Sequence, residues 1–364
     1  MKYLTPFVLM VVILPNLFAL RVSAHEVTRS VAGDFAEVSE AASEEFSIYE
    51  TSTQQNWNDM KKRVLRKWSD GALPEEKIDV EYGAGDLTRV KVDYDTGVVT
   101  AQTLVAREGT LEPAAALKIN AEKQIEKALE KLVREKPSTQ SVLSVDEITE
   151  RKVSPQKLTR SLSEGARFGH FEKAADGETR SMFEVTFRLV PDHVAKRALR
   201  FKPLVTLWAQ KYGLDPAFVL AIIRQESAFN PRARSRVGAI GLMQIHPPSA
   251  GREVFRQIKH LDQAPTDDYL YDPDQNIMMG TTYLSILRDQ YFSDIQNKSK
   301  QRYFMICGYN WSAGRLRKLI SKGSLTIDRS PAEIFQTLQH LVPLETQEYL
   351  RRVDQFTHEF RGDK

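Results

Sequence analysis

Residues 215–230 read DPAFVLAIIRQESAFN, and this stretch decides the fold class of the second half of the chain. Asp215 followed by Pro216 is a favourable helix start, because the aspartate oxygen caps free backbone N–H groups and proline is tolerated in the first turn. Apolar residues then recur at steps of three and four, which is the spacing of one helix face. Asn230-Pro231 marks the expected end of the helix. The stretch therefore predicts a helix that packs its apolar face into a core.

Glu226 lies on the apolar face of this predicted helix. It follows Val219 by seven residues, Ile222 by four and Ile223 by three, and residues at these steps share one side of a helix. A carboxylate that points into a core is costly to keep charged, so its pKa is expected to rise and the group to hold a proton near neutral pH. Such a group suits general acid catalysis of glycosidic cleavage. A buried glutamate paired with an arginine is the structural alternative, and the spacing leaves both open.

Outward from this helix, the rest of the second half shows no strand pattern after Pro191. Further helices are predicted to begin near residues 193, 273, 302, 331 and 345, separated by Gly, Pro, Asn or Asp. The second half is therefore predicted to be all-α or nearly so.

The first half shows a different pattern. Val90, Val92 and Tyr94 alternate with polar residues, and a turn at 95–97 leads into a return strand, which together indicate a hairpin. Residues 113–136 have helical spacing, 137–180 are polar and predicted to be mostly loop, and 182–190 alternate again. The first half is predicted to be a small α+β domain, and none of its residues has the spacing of a catalytic set.

The N-terminus has the features of an export signal. Lys2 precedes an apolar run from Phe7 to Leu20, and Val22-Ser23-Ala24 fits a signal-peptidase site. The run is short for a membrane span, although an uncleaved anchor is the alternative. No cysteine lies near the site for lipid attachment, so we expect a periplasmic protein, soluble or held at the outer membrane peripherally. The expected organisation is a signal peptide (1–24), an acidic lead-in (25–45) that becomes helical near residue 46, an α+β domain (46–191) and an all-α domain (192–364).

Composition excludes several functional classes. The chain has 51 Lys and Arg against 48 Asp and Glu, a balance that does not favour nucleic-acid binding. Its single cysteine, Cys307, cannot form an internal disulfide. The seven histidines lack metal-ligand spacing, so we predict no metal and no cofactor. The number of subunits is left open.

Several polar groups after the Glu226 helix are of the kind that orient sugars. Residues 238–244 read GAIGLMQ, a glycine-punctuated apolar segment that ends in the amide of Gln244. Tyr309, Asn310 and Tyr349 add hydroxyl and amide groups. Each is a weak indication alone, since tyrosines at helical spacing are usually packing residues.

Four segments in order resemble the motifs of family 1 lytic transglycosylases. They are Glu226-Ser227, the Gly241–Gln244 segment, Tyr309-Asn310, and the segment from Glu345 to Tyr349-Leu350. The resemblance extends from about residue 192 to 360 and implies a lysozyme-like, goose-type α fold. Looser similarities at Lys196-Arg197-Ala198 and at 272–277, together with a preceding α+β domain, point to the membrane-bound members of that family.

The resemblance implies a reaction and a role for each matching residue. Glu226 is expected to protonate the glycosidic oxygen and then act as base, and Tyr349 to hold and polarise it. Ser235 is expected to contact the substrate near the cleaved bond, with Gln244, Tyr309 and Asn310 in the groove. The substrate would be the glycan strands of peptidoglycan, cut at the MurNAc–GlcNAc β-1,4 bond. Only one carboxylate is needed, because the C6 hydroxyl of the muramoyl sugar closes a 1,6-anhydro ring and no water is consumed.

Some positions depart from the family pattern and keep two alternatives open. Trp311-Ser312 stands where Gly-Gly is common, Val237 where close members have serine, and His246 where methionine is frequent. A lysozyme-type hydrolase would need a second carboxylate, for which Asp272 or Asp274 is a candidate, although both fit helix-start chemistry better. Bulk at Trp311 motivates the second alternative, a non-catalytic peptidoglycan-binding module.

Overall fold

The computed structural model describes residues 24–106, 113–135, 139 and 142–362, with side chains described from residue 44 onward apart from that of Ala84. Apart from Ala24, the predicted signal peptide lies outside these residues. The chain from Phe46 onward forms one compact unit that contains both the sheet and the C-terminal helices.

The first helix is longer than the sequence predicted. Helix α1 extends over Ala24–Leu65, so it begins well before Phe46, where we expected helical structure to start. The segment 25–45 contains no proline and is rich in alanine and glutamate, which have high helix propensity. The prediction of a non-helical lead-in is therefore wrong.

A five-stranded antiparallel sheet forms the centre of the first half, with strand order β1-β2-β3-β7-β6. The hairpin predicted around residues 90–100 is confirmed as β2 and β3, with Val92 opposite Val99. Strand β6 lies where we predicted mostly loop, because this edge strand is exposed at nearly every position and shows no alternation. The bounds are β1 Ile78–Tyr82, β2 Thr88–Asp93, β3 Val98–Ala106, β6 Arg167–Lys173 and β7 Thr179–Arg188.

Helix α2, Ala114–Leu132, packs its apolar stripe against this sheet. The stripe contains the five residues that the helical spacing predicted, all buried: Leu117, Ala121, Ile125, Leu129 and Leu132. The helix ends four residues before Lys136, the predicted end, because strand β4 (Val133–Arg134) begins there and pairs with β5 (Leu143–Ser144). Two short helices follow, α3 (Val145–Ile148) and α4 (Pro155–Ser163), and both lie in the segment 137–180 that we predicted to be mostly loop.

In the described part of the second half, the secondary structure is helical apart from isolated bridges around Ile240, as predicted. Helix α6 is buried along most of its length in the core of this half. The helices are α5 His193–Lys211, α6 Pro216–Ser227, α7 Arg252–Lys259, α8 Asp267–Tyr271, α9 Pro273–Ile286, α10 Lys298–Cys307, α11 Ala313–Ser321, α12 Pro331–Leu341 and α13 Leu344–Arg361, with π-helical turns at 247–251, 287–291 and 308–312.

Helix α6 starts as predicted and ends earlier than predicted. Asp215 caps it by accepting from the backbone N–H of Ala217 at 2.9 Å. The helix ends at Ser227 rather than at Asn230-Pro231. Ala228 and Phe229 both have positive φ angles, 48° and 62°, which turn the chain out of the helix before the proline is reached. Such left-handed residues are a common way to end a helix.

A buried arginine connects the two halves. Arg197 of α5 donates to Glu147 Oε1 at 3.1 Å and to the backbone oxygen of Val142 at 3.0 Å, both in the first half. Its guanidinium lies 4.0 Å from the ring centroid of Tyr94. It also donates to the backbone oxygen of Phe229, just beyond α6, at 3.0 Å. Arg197 and Glu147 are both fully buried, so this contact fixes the sheet domain against the end of α6.

Candidate active site

Glu226 lies in the last turn of α6 and lines two adjoining cavities, a groove of about 730 Å³ and a chamber of about 460 Å³. Its Oε1 accepts a hydrogen bond of 2.5 Å from the Tyr349 hydroxyl. Burial raises the pKa of Glu226 to about 7, although the Tyr349 hydrogen bond and the charge of Lys77 act in the opposite direction. Glu226 has no ion pair with an arginine among the described residues, so the structural alternative lacks its partner.

The glycine-punctuated segment 238–244 forms a tight loop at the groove. Gly241 has a φ of +78°, and a Cβ atom there would lie 2.3 Å from Asn276 Nδ2, so a side chain does not fit. Asn276, fully buried in α9, donates from Nδ2 to the Ile240 oxygen and accepts from the Met243 N–H, each at 2.8 Å. A buried amide bonded on both sides holds the loop in one conformation.

Two hydroxyl groups attach the same loop to its surroundings. Ser227, the residue after Glu226, donates to the Leu242 oxygen at 2.8 Å. Tyr309 donates to the Met243 oxygen at 2.7 Å. The loop and the helix end that carries Glu226 are therefore held at a fixed separation.

The structure brings together all the residues predicted for the site. Ser235 Oγ accepts from the Ala239 N–H at 3.0 Å, and the Gln244 amide donates to the Gly241 oxygen at 2.9 Å. Gln244 itself has a positive φ of 47°. The residues that line the large groove with Glu226 are Ser235, Gln244, Tyr309 and Asn310, while Tyr349 and Asn310 line the chamber.

Asp272 and Asp274, the candidates for a second carboxylate, have structural partners. Asp272 caps α9 by accepting from the Gln275 N–H at 2.9 Å, as the helix-start interpretation predicted. Asp274 accepts from the Trp208 indole at 2.7 Å. Neither lines the cavities that contain Glu226.

The first half contributes residues to the site that the sequence analysis did not identify. Phe46 and Glu50 of α1 line the groove, Lys77 lines the chamber, and Glu76 lines both. They precede Glu226 by about 150 residues or more, and no local spacing relates them to it. The packing of α1 and of the sheet against the second half brings them to the site.

The family model described as "Transglycosylase SLT domain" matches residues 203–327. This part of the chain is similar to lytic transglycosylases. Membrane-bound lytic murein transglycosylase C from Pectobacterium atrosepticum is 40% identical over 186 residues, which cover 50% of this chain and 52% of the relative. The protein of the same name from Photorhabdus laumondii is 41% identical over 179 residues, 48% of this chain and 50% of the relative.

The matched part spans about half the length of these curated relatives. Among solved structures, the 70 kDa soluble lytic transglycosylase from Escherichia coli is 30% identical with a TM-score of 0.38, covering 48% of this chain and 26% of that chain. An inactive mutant of lytic transglycosylase Slt from Pseudomonas aeruginosa is also 30% identical, with a TM-score of 0.36, covering 45% and 25%. The SLT family model and the curated relatives confirm the resemblance to transglycosylases that was inferred from the motifs.

The transglycosylase SLT region, residues 203–327, contains most of the site but not all of it. It contains the groove residues Glu226, Ser235, Gln244, Tyr309 and Asn310. Tyr349 lies beyond it on α13, and Phe46, Glu50 and Glu76 lie far before it. The surroundings of Glu226 are therefore completed from both sides of the matched region.

We expect two neighbouring residues of the first half to shift the pKa of Glu226 in opposite directions. The charge of Glu76 raises that pKa and the charge of Lys77 lowers it. In Glu76→Gln the pKa of Glu226 should therefore fall below that of the wild type, and in Lys77→Met it should rise above it. Carbon-13 NMR titration of the Glu226 carboxyl measures both, whatever the enzyme's activity. Shifts of the same sign in the two variants would contradict this electrostatic description.

Proposed function

We propose that this protein is a lytic transglycosylase that cleaves the MurNAc–GlcNAc β-1,4 bond of peptidoglycan. The observation that carries the proposal is Glu226, a residue of the SLT region whose buried carboxyl group has a pKa of about 7 and lines the groove. The relatives named lytic murein transglycosylases support the same substrate class. We further propose the lysozyme-like, goose-type arrangement of helices for the residues that the motifs cover.

In the proposed reaction Glu226 acts first as acid and then as base. Its proton passes to the glycosidic oxygen as the bond from C1 of the muramoyl sugar to that oxygen breaks. The N-acetyl group of the same sugar assists the departure. The C6 hydroxyl oxygen then bonds to C1 and closes a 1,6-anhydro ring, and its proton returns to Glu226. Because the proton is returned and no water enters, one carboxyl group suffices.

The other site residues would have supporting roles. Tyr349 holds one carboxyl oxygen of Glu226 in place through the 2.5 Å hydrogen bond. Burial raises the pKa of the Tyr349 hydroxyl well above its ordinary value, so it stays a donor throughout the reaction. Ser235, Gln244, Tyr309 and Asn310 line the groove in which the sugars would lie. We propose them as substrate-binding groups.

A lysozyme-type hydrolase is the second candidate, and Glu76 is the observation that favours it. This glutamate lines both cavities with Glu226 and is a second carboxylate of the kind that a water-activating mechanism needs. The third alternative, a non-catalytic binding module, was motivated by the bulk of Trp311. Trp311 does line the groove, but the groove keeps a volume of about 730 Å³ around Glu226, which is room for several sugar groups.

Product analysis separates these three functions. The purified protein should release muropeptides with 1,6-anhydromuramoyl ends from cell-wall sacculi, 18 Da lighter than the hydrolysed equivalents because no water is added. Mass spectrometry of the soluble products measures this, with Glu226→Gln as the control for contaminating enzymes. Reducing ends that disappear in Glu76→Gln would establish the hydrolase instead. Binding to sacculi without any product would establish the binding module.

We also propose that the protein works in the cell envelope. The relatives are named membrane-bound, and their substrate lies outside the cytoplasmic membrane. The N-terminal sequence features of an export signal support a periplasmic location. In the part of the chain that the structure describes, no helix is long and apolar enough to cross a membrane.

A further inference from the structure

Part of the groove wall is formed by α1, which lies outside the SLT region. Phe46 and Glu50, one helical turn apart on this helix, line the groove together with Glu226. Phe46 is partly buried and Glu50 is exposed, so both keep surface that is free to meet a ligand. An aromatic face beside a carboxylate provides what a neutral sugar ring needs, since the C–H groups of the ring pack on the aromatic face and its hydroxyl groups donate to the carboxylate.

The contact between α1 and the groove is specific. The Tyr49 hydroxyl donates to the Gly238 oxygen at 2.7 Å. Gly238 has a φ of +89°, and a Cβ atom there would lie 2.6 Å from Tyr49 Cε1 and 3.1 Å from Thr53 Oγ1, so the helix fits only against a glycine. This close fit places Phe46 and Glu50 at the groove in a defined position.

His246 anchors the same part of the groove wall. Its ring centroid lies 5.2 Å from that of Phe46 and 5.5 Å from that of Tyr49. Its Nε2 is 3.0 Å from the Val237 oxygen and its Nδ1 is 3.1 Å from Ser249 Oγ, so both ring nitrogens are engaged. The histidine at this departure from the family pattern therefore supports Phe46.

We propose that Phe46 and Glu50 form a binding subsite for an N-acetylated sugar on this part of the groove wall, which extends the substrate-binding surface beyond the SLT region. The proposal deepens the function proposed above and rests on it for the identity of the substrate. We place the subsite at a sugar unit other than the one whose bond is cleaved, because Phe46 contacts His246, whereas Glu226 is bonded to Tyr349, which lines the chamber and not the groove. Its contribution is therefore expected only for glycans long enough to reach α1.

The test compares binding of chito-oligosaccharides of two lengths. Isothermal titration calorimetry with the GlcNAc hexamer and the GlcNAc dimer is performed on the wild type, on Phe46→Ala and on Glu50→Gln. We expect each variant to bind the hexamer about tenfold more weakly, as the loss of one aromatic or charged contact would cause. The affinity for the dimer should change less than twofold. The control is Ile48→Ala, because Ile48 lies on the same helix turn and is 61% exposed; it should bind both as the wild type does.

Thermal unfolding temperatures distinguish a variant that has lost only the subsite from one in which α1 is displaced. Glutamine is close to glutamate in shape, so Glu50→Gln should keep the packing of α1. The proposal is overturned if the wild type does not bind the hexamer or if both variants bind it as the wild type does. It is also overturned if the variants lose the same factor in affinity for the hexamer and for the dimer. Failure of the proposed function gives a different result. In that case no anhydro products form from sacculi, yet binding still depends on length and on Phe46 and Glu50.

Discussion

Glu226→Gln is expected to lower the rate of product release from sacculi by about 10³-fold, the range that a positioned general acid–base group contributes. The loss corresponds to roughly 4 kcal/mol in the activation free energy. Glutamine has nearly the same shape but carries no proton that it can give to the glycosidic oxygen. Initial rates from soluble muropeptides, measured with the wild type and the variant at the same pH, give the ratio.

The control for this prediction is folding of the variant. The pKa of Glu226 is raised in the folded protein. Its carboxyl group therefore costs stability once the pH exceeds the pKa that it has in the unfolded chain, and this cost is complete above about pH 7. At pH 8 the glutamine variant should therefore unfold at the same temperature as the wild type or higher. Tyr349→Phe removes the 2.5 Å hydrogen bond but leaves the acid in place, so its rate of product release should fall by about tenfold. Normal rates in Glu226→Gln together with inactivity in Glu76→Gln would transfer the acid role to Glu76.

Glu147→Ala is expected to cost about 3–5 kcal/mol of unfolding free energy, the range for breaking a buried ion pair by removing one partner. Glu147 is fully buried and accepts from Arg197 at 3.1 Å and from Arg200 at 2.8 Å. Its other oxygen accepts from the Ser144 N–H at 2.8 Å. Without the carboxylate, the Arg197 guanidinium stays buried with its positive charge uncompensated. Guanidinium denaturation followed by circular dichroism measures the loss.

A surface ion pair provides the matched comparison. Asp192 pairs with Lys196 at 2.6 Å, but its side chain is 57% exposed, so Asp192→Asn should change stability far less than Glu147→Ala does. The double variant Glu147→Leu, Arg197→Met replaces both buried partners. It should recover part of the stability that Glu147→Ala loses, because no uncompensated charge from that pair remains. Equal effects of Glu147→Ala and Asp192→Asn would show that the buried pair does not hold the halves together.

The sequence was most informative where one local pattern determines one contact. Asp215-Pro216 predicted the start of α6, the spacing of Leu117 to Leu132 predicted the buried stripe of α2, and the position of Glu226 on an apolar face predicted its raised pKa. These features depend on helical periodicity, which is visible in a short window. The motif order then grouped Gln244, Tyr309 and Tyr349 with Glu226, and the structure places them around the same two cavities.

The remaining features depend on contacts between distant segments. Phe46 and Glu50 reach the groove because α1 fits against Gly238, and Glu76 reaches it because Arg197 and Tyr94 dock the first half of the chain. No pattern in the neighbourhood of these residues reveals this. Strand β6 was not predicted because an exposed edge strand needs no apolar alternation. The end of α6 was placed too late because the positive φ angles of Ala228 and Phe229 arise from the surrounding packing and not from a local glycine.

The hydrogen bond from Arg197 to the Phe229 oxygen has a consequence for domain exchange. That oxygen lies three residues after Glu226 in the chain, and the arginine that binds it is also stacked on Tyr94 of the sheet. A chimaera that joins these C-terminal helices to another first domain would lose the aromatic platform of this arginine and, with it, the support behind the acid. The two halves are therefore expected to be inherited and transplanted as a pair.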